Sequence, residues 1–146
     1  MKSPDDCVEV LRPLKPDKRK LLLFAVNDND SARAGGTHWS LLVYSRDEGT
    51  FFNFDSLSDF NTSNARKIFT TLKNLLNCPF GNFKHERSAQ QTNSYDCGIY
   101  LLVNAENVCN NFLLRRRVQD TPIASLGSIN AKRQEILSII DEINSN

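Results

Sequence analysis

Apolar residues recur along this chain in runs that predict strands first and helices later. Residues 20–26 hold Leu21, Leu22, Leu23, Phe24, Ala25 and Val26 without interruption, as expected of a strand buried on both faces. A polar stretch of turn formers, residues 27–36, follows. Residues 38–44 and 50–55 are strand-like, with residues 45–49 as the turn of a hairpin. Over residues 63–76 the period changes: Ile68, Phe69, Leu72, Leu75 and Leu76 form one stripe of a helix. Asn77, Pro79 and Gly81 stop it. Residues 82–86 predict a short strand and residues 88–96 a polar loop. Residues 97–113 read as a largely buried helix, and residues 131–143 as an amphipathic one carrying Ile136, Leu137, Ile140 and Ile143. Residues 1–19 are a Pro- and charge-rich lead-in, in which Pro13 and Pro16 favour extended chain. Strands, a helix, a strand and then helices make the class α+β.

Composition narrows this little. The chain has 146 residues, 40% hydrophobic and 24% charged, which suits one domain over residues 1–146. A formal net charge of +1 gives no global field for nucleic acid or an acidic membrane. The cluster Arg115, Arg116 and Arg117 reads as a solvated helix end. No apolar run has the length of a membrane span, and the first residues show no secretory h-region. The four cysteines, Cys7, Cys78, Cys97 and Cys109, form no Cys-x-x-Cys pair. That spacing argues against zinc and against a disulfide framework, and a reducing compartment, cytoplasm or nucleus, is expected. No metal or cofactor is implied.

The hairpin brings the first candidate chemistry. With the turn at residues 45–48, Tyr44 pairs with Gly49 and His38 lies opposite Asp55. Directly opposed residues share a face with Cβ atoms about 5 Å apart. Alternation then sends Trp39, Leu41, Val43, Phe52 and Phe54 to the other, apolar face. Taken alone, such a pair is more often a surface ion pair. Cys97 shifts the balance: an amide-rich loop, Gln90 to Asp96, delivers it to the start of an apolar helix. A helix N-terminus stabilises a thiolate, and Gly98 lets a substrate backbone come close. His38 would take the thiol proton and return it to the leaving amine. Asp55 would orient the imidazole. Gln90, Gln91 and Asn93 are candidate donors to an oxyanion hole, and spacing alone does not choose among them. His85 is a weaker alternative base, expected at an exposed strand end.

Three motifs in order, Gly36-Thr37-His38-Trp39-Ser40, Phe52-Asn53-Phe54-Asp55-Ser56 and Gln90 to Tyr100, resemble the ubiquitin-like-protein-specific cysteine proteases, the sentrin/SUMO-type deconjugating enzymes. Residues 24–29 and 34–38 look like the Nedd-type, deneddylating branch. The resemblance covers most of residues 10–140. It implies a papain-like fold, a mixed sheet packed by helices, with catalytic His38, Asp55 and Cys97. It puts the oxyanion glutamine on Gln91, six residues before the cysteine. It also implies that Trp39 lines a narrow tunnel for the substrate's Gly-Gly tail, and that residues 27–36, with Asn27 and Gly36, contact the modifier. Family members carry a further amino-terminal segment with a second tryptophan wall. Trp39 is the single tryptophan here, so the resemblance implies a domain incomplete at its amino terminus, with impaired turnover.

The expected partner is a Nedd-like modifier and its conjugates, met by a monomer, with cleavage after the modifier's carboxy-terminal Gly-Gly. The alternatives are a SUMO-type protease, a pseudo-protease that binds the modifier without cutting it, and, last, an acyltransferase.

Overall fold

The computed structural model describes residues 9–29 and 34–145. Cys7 and residues 30–33 of the expected modifier loop lie outside them. Two short 3-10 turns, Arg12–Leu14 and Pro16–Lys18, lead into strand β1, Leu21–Asn27. Strands β2, Trp39–Ser45, and β3, Thr50–Phe54, form the hairpin. Helix α1 is Thr62–Leu75, strand β4 is Asn82–His85, helix α2 is Cys97–Arg115 and helix α3 is Leu126–Asn144. The sheet has the order β1-β2-β3-β4. β1–β2 and β2–β3 are antiparallel and β3–β4 is parallel, so the mixed α+β architecture is as expected.

Strand alternation splits the core into two layers. Val26, Leu42, Tyr44 and Phe51 face α1 and meet Ala65, Leu72 and Leu76. Leu41, Val43, Phe52 and Phe54 face α2 and meet Val108 and Phe112. Both faces of the hairpin are therefore apolar, whereas alternation had predicted one apolar and one polar face. Each Leu or Phe removed from water contributes about 1.5–3 kcal/mol, so each helix is held by several such contacts. α3 packs on α2, where Ile129 joins Tyr100, Val103 and Ala124.

Three expectations need correction. The lead-in turns instead of extending: Pro13 lies in the first 3-10 turn and Pro16 opens the second, where the fixed φ of proline suits the start of a helix. β1 is an edge strand of the described sheet, and Leu23 and Ala25 are exposed. An apolar run predicts a strand but says nothing about its place in the sheet. The hairpin register also differs: Ser45 pairs with Thr50 and Leu41 with Phe54. The turn is shifted by one residue, to residues 46–49, and closes with Gly49 N–H donating to Arg46 O at 3.1 Å. Gly49 has φ +57°, a conformation glycine adopts without a Cβ penalty. Arg46 is drawn into the turn by its side chain, which donates to Arg19 O, Leu76 O and Pro16 O. Continued one step, this register puts Ser40, not His38, across from Asp55. The error is two positions, so the shared face survives and the pair becomes a diagonal one.

The arginine cluster sits at the exposed end of α2, where Arg116 takes a left-handed C-cap conformation. α3 begins five residues earlier than its apolar stripe predicts, with Ser125 Oγ accepting from Ser128 N–H as its cap. Among the described residues, no helix is long and apolar enough to cross a membrane.

Candidate functional site

The open end of the hairpin carries a buried imidazole–carboxylate pair. His38 is 2% exposed and Asp55 3%. His38 Nε2 lies 2.6 Å from Asp55 Oδ1. The same Oδ1 accepts from Leu57 N–H at 3.0 Å, and Oδ2 accepts from Asn61 N–H at 2.8 Å. A carboxylate with two fixed backbone donors is an acceptor for the ring, so His38 donates from Nε2. Nδ1 then carries the lone pair and is the nitrogen able to take a proton.

Two supports for this pair carry no strong sequence signal. Asn61 is fully buried at the start of α1. Its side chain caps no helix N–H; it donates to Val26 O at 2.8 Å and Ser40 Oγ at 3.0 Å. Asn61 thereby ties α1 to β1 and β2 while its backbone holds Asp55. An Asn before a helix suggests a cap, and only the tertiary structure shows the other use. Asp28 holds the chain around His38: it accepts from Thr37 N–H, Thr37 Oγ1 and His38 N–H at 2.7–3.0 Å. Burial pushes the Asp28 carboxyl up, but these donors outweigh it and hold it below the usual carboxylate range.

Asn27 and Gly36, expected to contact a substrate, also have internal roles. Asn27 Nδ2 donates to His38 O at 3.2 Å, and its Oδ1 accepts from Asn29 N–H. Gly36 has φ +89°, and a Cβ there would fall 2.1 Å from Asn27 Oδ1. The glycine is required by that close approach. Trp39 pairs with Asn27 across β1 and β2 and leaves 43% of its surface exposed.

The loop before α2 is stitched to the same corner. Gln91 N–H donates to Ser56 O, and Ser56 Oγ donates to Gln91 Oε1, both at 2.8 Å. Gln91 Nε2 donates to Asn93 O at 2.7 Å. Gln90 Nε2 donates to Asp55 O and Ser88 O, while its Oε1 accepts from Ser58 N–H. Asn93 Oδ1 accepts from Tyr95 and Asp96 N–H. Gln90 and Asn93 are thus occupied in shaping the loop. Gln91 is held by Ser56, the residue after Asp55, with one amide hydrogen bonded within the loop.

Cys97 follows as the first residue of α2, 7% exposed. The first N–H groups of a helix have no intrahelical acceptor, and those of Cys97 and Gly98 are among them. Open space surrounds the position a Gly98 Cβ would take. The structure therefore joins His38 to Asp55 directly and ties Gln91 to Ser56, the next residue. No hydrogen bond joins Cys97 to the ring among the described residues. His85, the alternative base, is an exposed strand-end residue paired with Asp59 at 2.8 Å. No group of three or more His, Cys, Asp or Glu side chains among the described residues could hold a metal ion. A lone-pair nitrogen on a carboxylate-held imidazole, a cysteine at a helix start and adjacent free N–H groups are the parts of covalent acyl transfer.

The sequence pattern of the Ulp1 protease family, C-terminal catalytic domain, matches residues 17–122. Sentrin-specific protease 8 of Rattus norvegicus is 40% identical over 126 residues, covering 85% of this chain and 57% of that protein. NEDD8-specific protease 1 of Arabidopsis thaliana is 32% identical, covering 94% of this chain and 65% of that protein. The chain thus spans somewhat over half the length of these relatives. The X-ray structure of the C-terminal Ulp1 protease domain in complex with Smt3, the yeast orthologue of SUMO, matches in fold. Its TM-score is 0.58 at 23% identity, over 89% of this chain and 59% of that one.

Proposed function

Because the chain belongs to the Ulp1 protease family, we propose that it is a thiol peptidase and isopeptidase that removes or matures a Nedd-like modifier by cleaving after its C-terminal Gly-Gly. The observation that carries this reading is the buried ring whose Nε2 is bound to Asp55, leaving Nδ1 as the base. Cys97 is the nucleophile, and its proton passes to His38 and then to the leaving amine. Asp55 holds the tautomer and stabilises the imidazolium. Backbone N–H at the start of α2 and the Gln91 amide stabilise the tetrahedral oxyanion. Trp39, half-exposed at the β1–β2 edge beside Asn27 and Gly36, lines the path of the Gly-Gly tail. A relative named as a NEDD8-specific protease, matched over 94% of this chain, supports a Nedd-type substrate. The wide spacing of the four cysteines supports a reducing compartment, cytoplasm or nucleus, as part of the same proposal.

The test is a set of Nedd-type, SUMO-type and ubiquitin modifiers, each carrying an electrophile at its carboxy terminus. The Nedd-type probe should form an adduct at Cys97 fastest. Cys97→Ala should give no adduct while still binding that modifier by calorimetry. A folded protein that stays unlabelled at high probe concentration refutes the enzymatic reading, and fastest labelling by the SUMO-type probe refutes the substrate assignment.

A further inference from the structure

Asp96 immediately precedes the proposed nucleophile and occupies the N-cap position of α2. A capping aspartate normally turns its carboxylate onto the N–H groups of the first turn. Asp96 does not: its side chain makes no cap hydrogen bond. Its Oδ2 accepts from Asn93 Nδ2 at 2.8 Å, and its Oδ1 is ion-paired with Arg133. Arg133 stands on α3, thirty-seven residues further along the chain, with its guanidinium 5.5 Å from the centre of the Tyr95 ring. The Asp96 side chain is 11% exposed, so water competes little for its carboxylate.

Two things would follow if that carboxylate were released. It would lie free beside the unpaired N–H groups of its own helix and compete for their partial positive charge. It would also put an uncompensated negative charge one residue from a thiol that must ionise to react. We propose that Arg133 is a positioning residue: it draws the Asp96 carboxylate off the amino end of α2, leaving those N–H groups to the Cys97 thiolate and the substrate oxyanion. This rests on the reading of Cys97 as nucleophile. α3 does not depend on Arg133 for its place. Ile129 is buried against Tyr100, Val103 and Ala124, and Lys132 pairs with Glu106 on α2.

The test is alkylation of the full chain by iodoacetamide, with each cysteine followed by peptide mass spectrometry. Cys78 and Cys109, half-buried and free, serve as internal references. Cys97 should outpace both in the unsubstituted chain; a Cys97 no faster than Cys109 overturns the nucleophile assignment and this inference with it. Arg133→Met should slow Cys97 by about tenfold or more and leave Cys78 and Cys109 unchanged. Arg133→Lys should keep much of the rate. Adding Asp96→Asn to Arg133→Met should restore it, because the neutral amide carries no charge to be drawn away. A Cys97 already fast in Arg133→Met, or a double variant as slow as the single one, overturns the proposal. So does an equal slowing at all three cysteines, which would mark loosened packing instead.

Discussion

Asp55→Asn probes the pair at the hairpin's open end, because one replacement atom must conflict with something. The carboxylate accepts on both oxygens: His38 Nε2 and Leu57 N–H on Oδ1, Asn61 N–H on Oδ2. An amide has one oxygen and one NH2 group. If the oxygen takes the Oδ1 position, the NH2 faces Asn61 N–H, and a buried donor loses its acceptor. If the oxygen takes the Oδ2 position, the NH2 faces Leu57 N–H and the ring. The ring can then respond only by accepting at Nε2, which moves its proton to Nδ1. The first orientation costs stability and the second costs stability and the base.

A buried donor without an acceptor costs about 1–3 kcal/mol. For a chain of this size that lowers the melting temperature by about 3–10 °C. Nδ1 protonation removes the general base, and the same substitution in a Ser-His-Asp triad lowers kcat by roughly 10,000-fold. A loss of at least 100-fold in cleavage of a modifier fusion is expected, on the order of the share catalysed by a general base. The checks are thermal melts, 15N shifts of the His38 ring, which report which nitrogen holds the proton, and single-turnover cleavage. An Asp55→Asn protein that melts within about one degree of the parent and keeps Nδ1 unprotonated would show that Asp55 is not bound as described here.

Gly36→Ala should disorder the turn that leads into His38, since its Cβ would fall 2.1 Å from Asn27 Oδ1 at φ +89°. Strain of this kind costs about 1–3 kcal/mol, to be read as a lowered urea midpoint together with faster amide exchange at Thr37 and His38. Glu86→Gln should do the opposite, but only in one pH range. Burial first, then the charge of Asp120, raises the Glu86 carboxyl above its ordinary value of 4.5, against the pull of Lys84. A raised carboxyl means that ionisation penalises the folded state. Below about pH 4.5 both states are protonated and the penalty is absent; it grows as pH rises through the folded-state value and persists above it. The variant should therefore gain stability at about pH 7 and gain none at about pH 4. An equal gain at both pH values would contradict the assignment.

Parity was the durable part of the sequence reading. Shifting the hairpin by two positions changed every pair yet kept His38 and Asp55 on one face, because side chains alternate with period two. The location of the turn was not legible, since Arg46 is fixed by three carbonyls from Pro16, Arg19 and Leu76, all distant from the hairpin. The start of α2 at Cys97 was readable from the change between an amide-rich loop and an apolar run. The start of α3 was not, because Gly127, Ser128 and Asn130 interrupt Leu126 and Ile129 and set them apart from the stripe that begins at Ile136. Spacing alone left Gln90, Gln91 and Asn93 open, and the resemblance put the oxyanion role on Gln91; the loop's own hydrogen bonds, which spacing does not encode, are what the structure adds. Asn61 was invisible for the same reason: its function lies in contacts with β1 and β2.

Among the described residues, three carboxylates adjoin the residues of the proposed chemistry in sequence or by hydrogen bond, and their charges could each oppose it. Asp28 is hydrogen-bonded to Thr37 and to the backbone of His38, Asp55 faces the ring, and Asp96 precedes the thiol. An idle carboxylate near Nδ1 would bind its proton partner, and one near the first turn of α2 would fill the N–H groups that an oxyanion needs. The fold answers with donors. Asp28 is bound by three donors from Thr37 and His38. Asp55 is bound by two backbone N–H groups besides the ring. Asp96 is bound by Asn93 and Arg133. The donors come from the loop before β2, the loop before α1, the loop before α2, and α3. Fixing negative charge at this corner therefore requires four separate parts of the chain to be folded at once, and the reactivity of Cys97 should rise and fall with the docking of α3, which supplies the Arg133 cation to it.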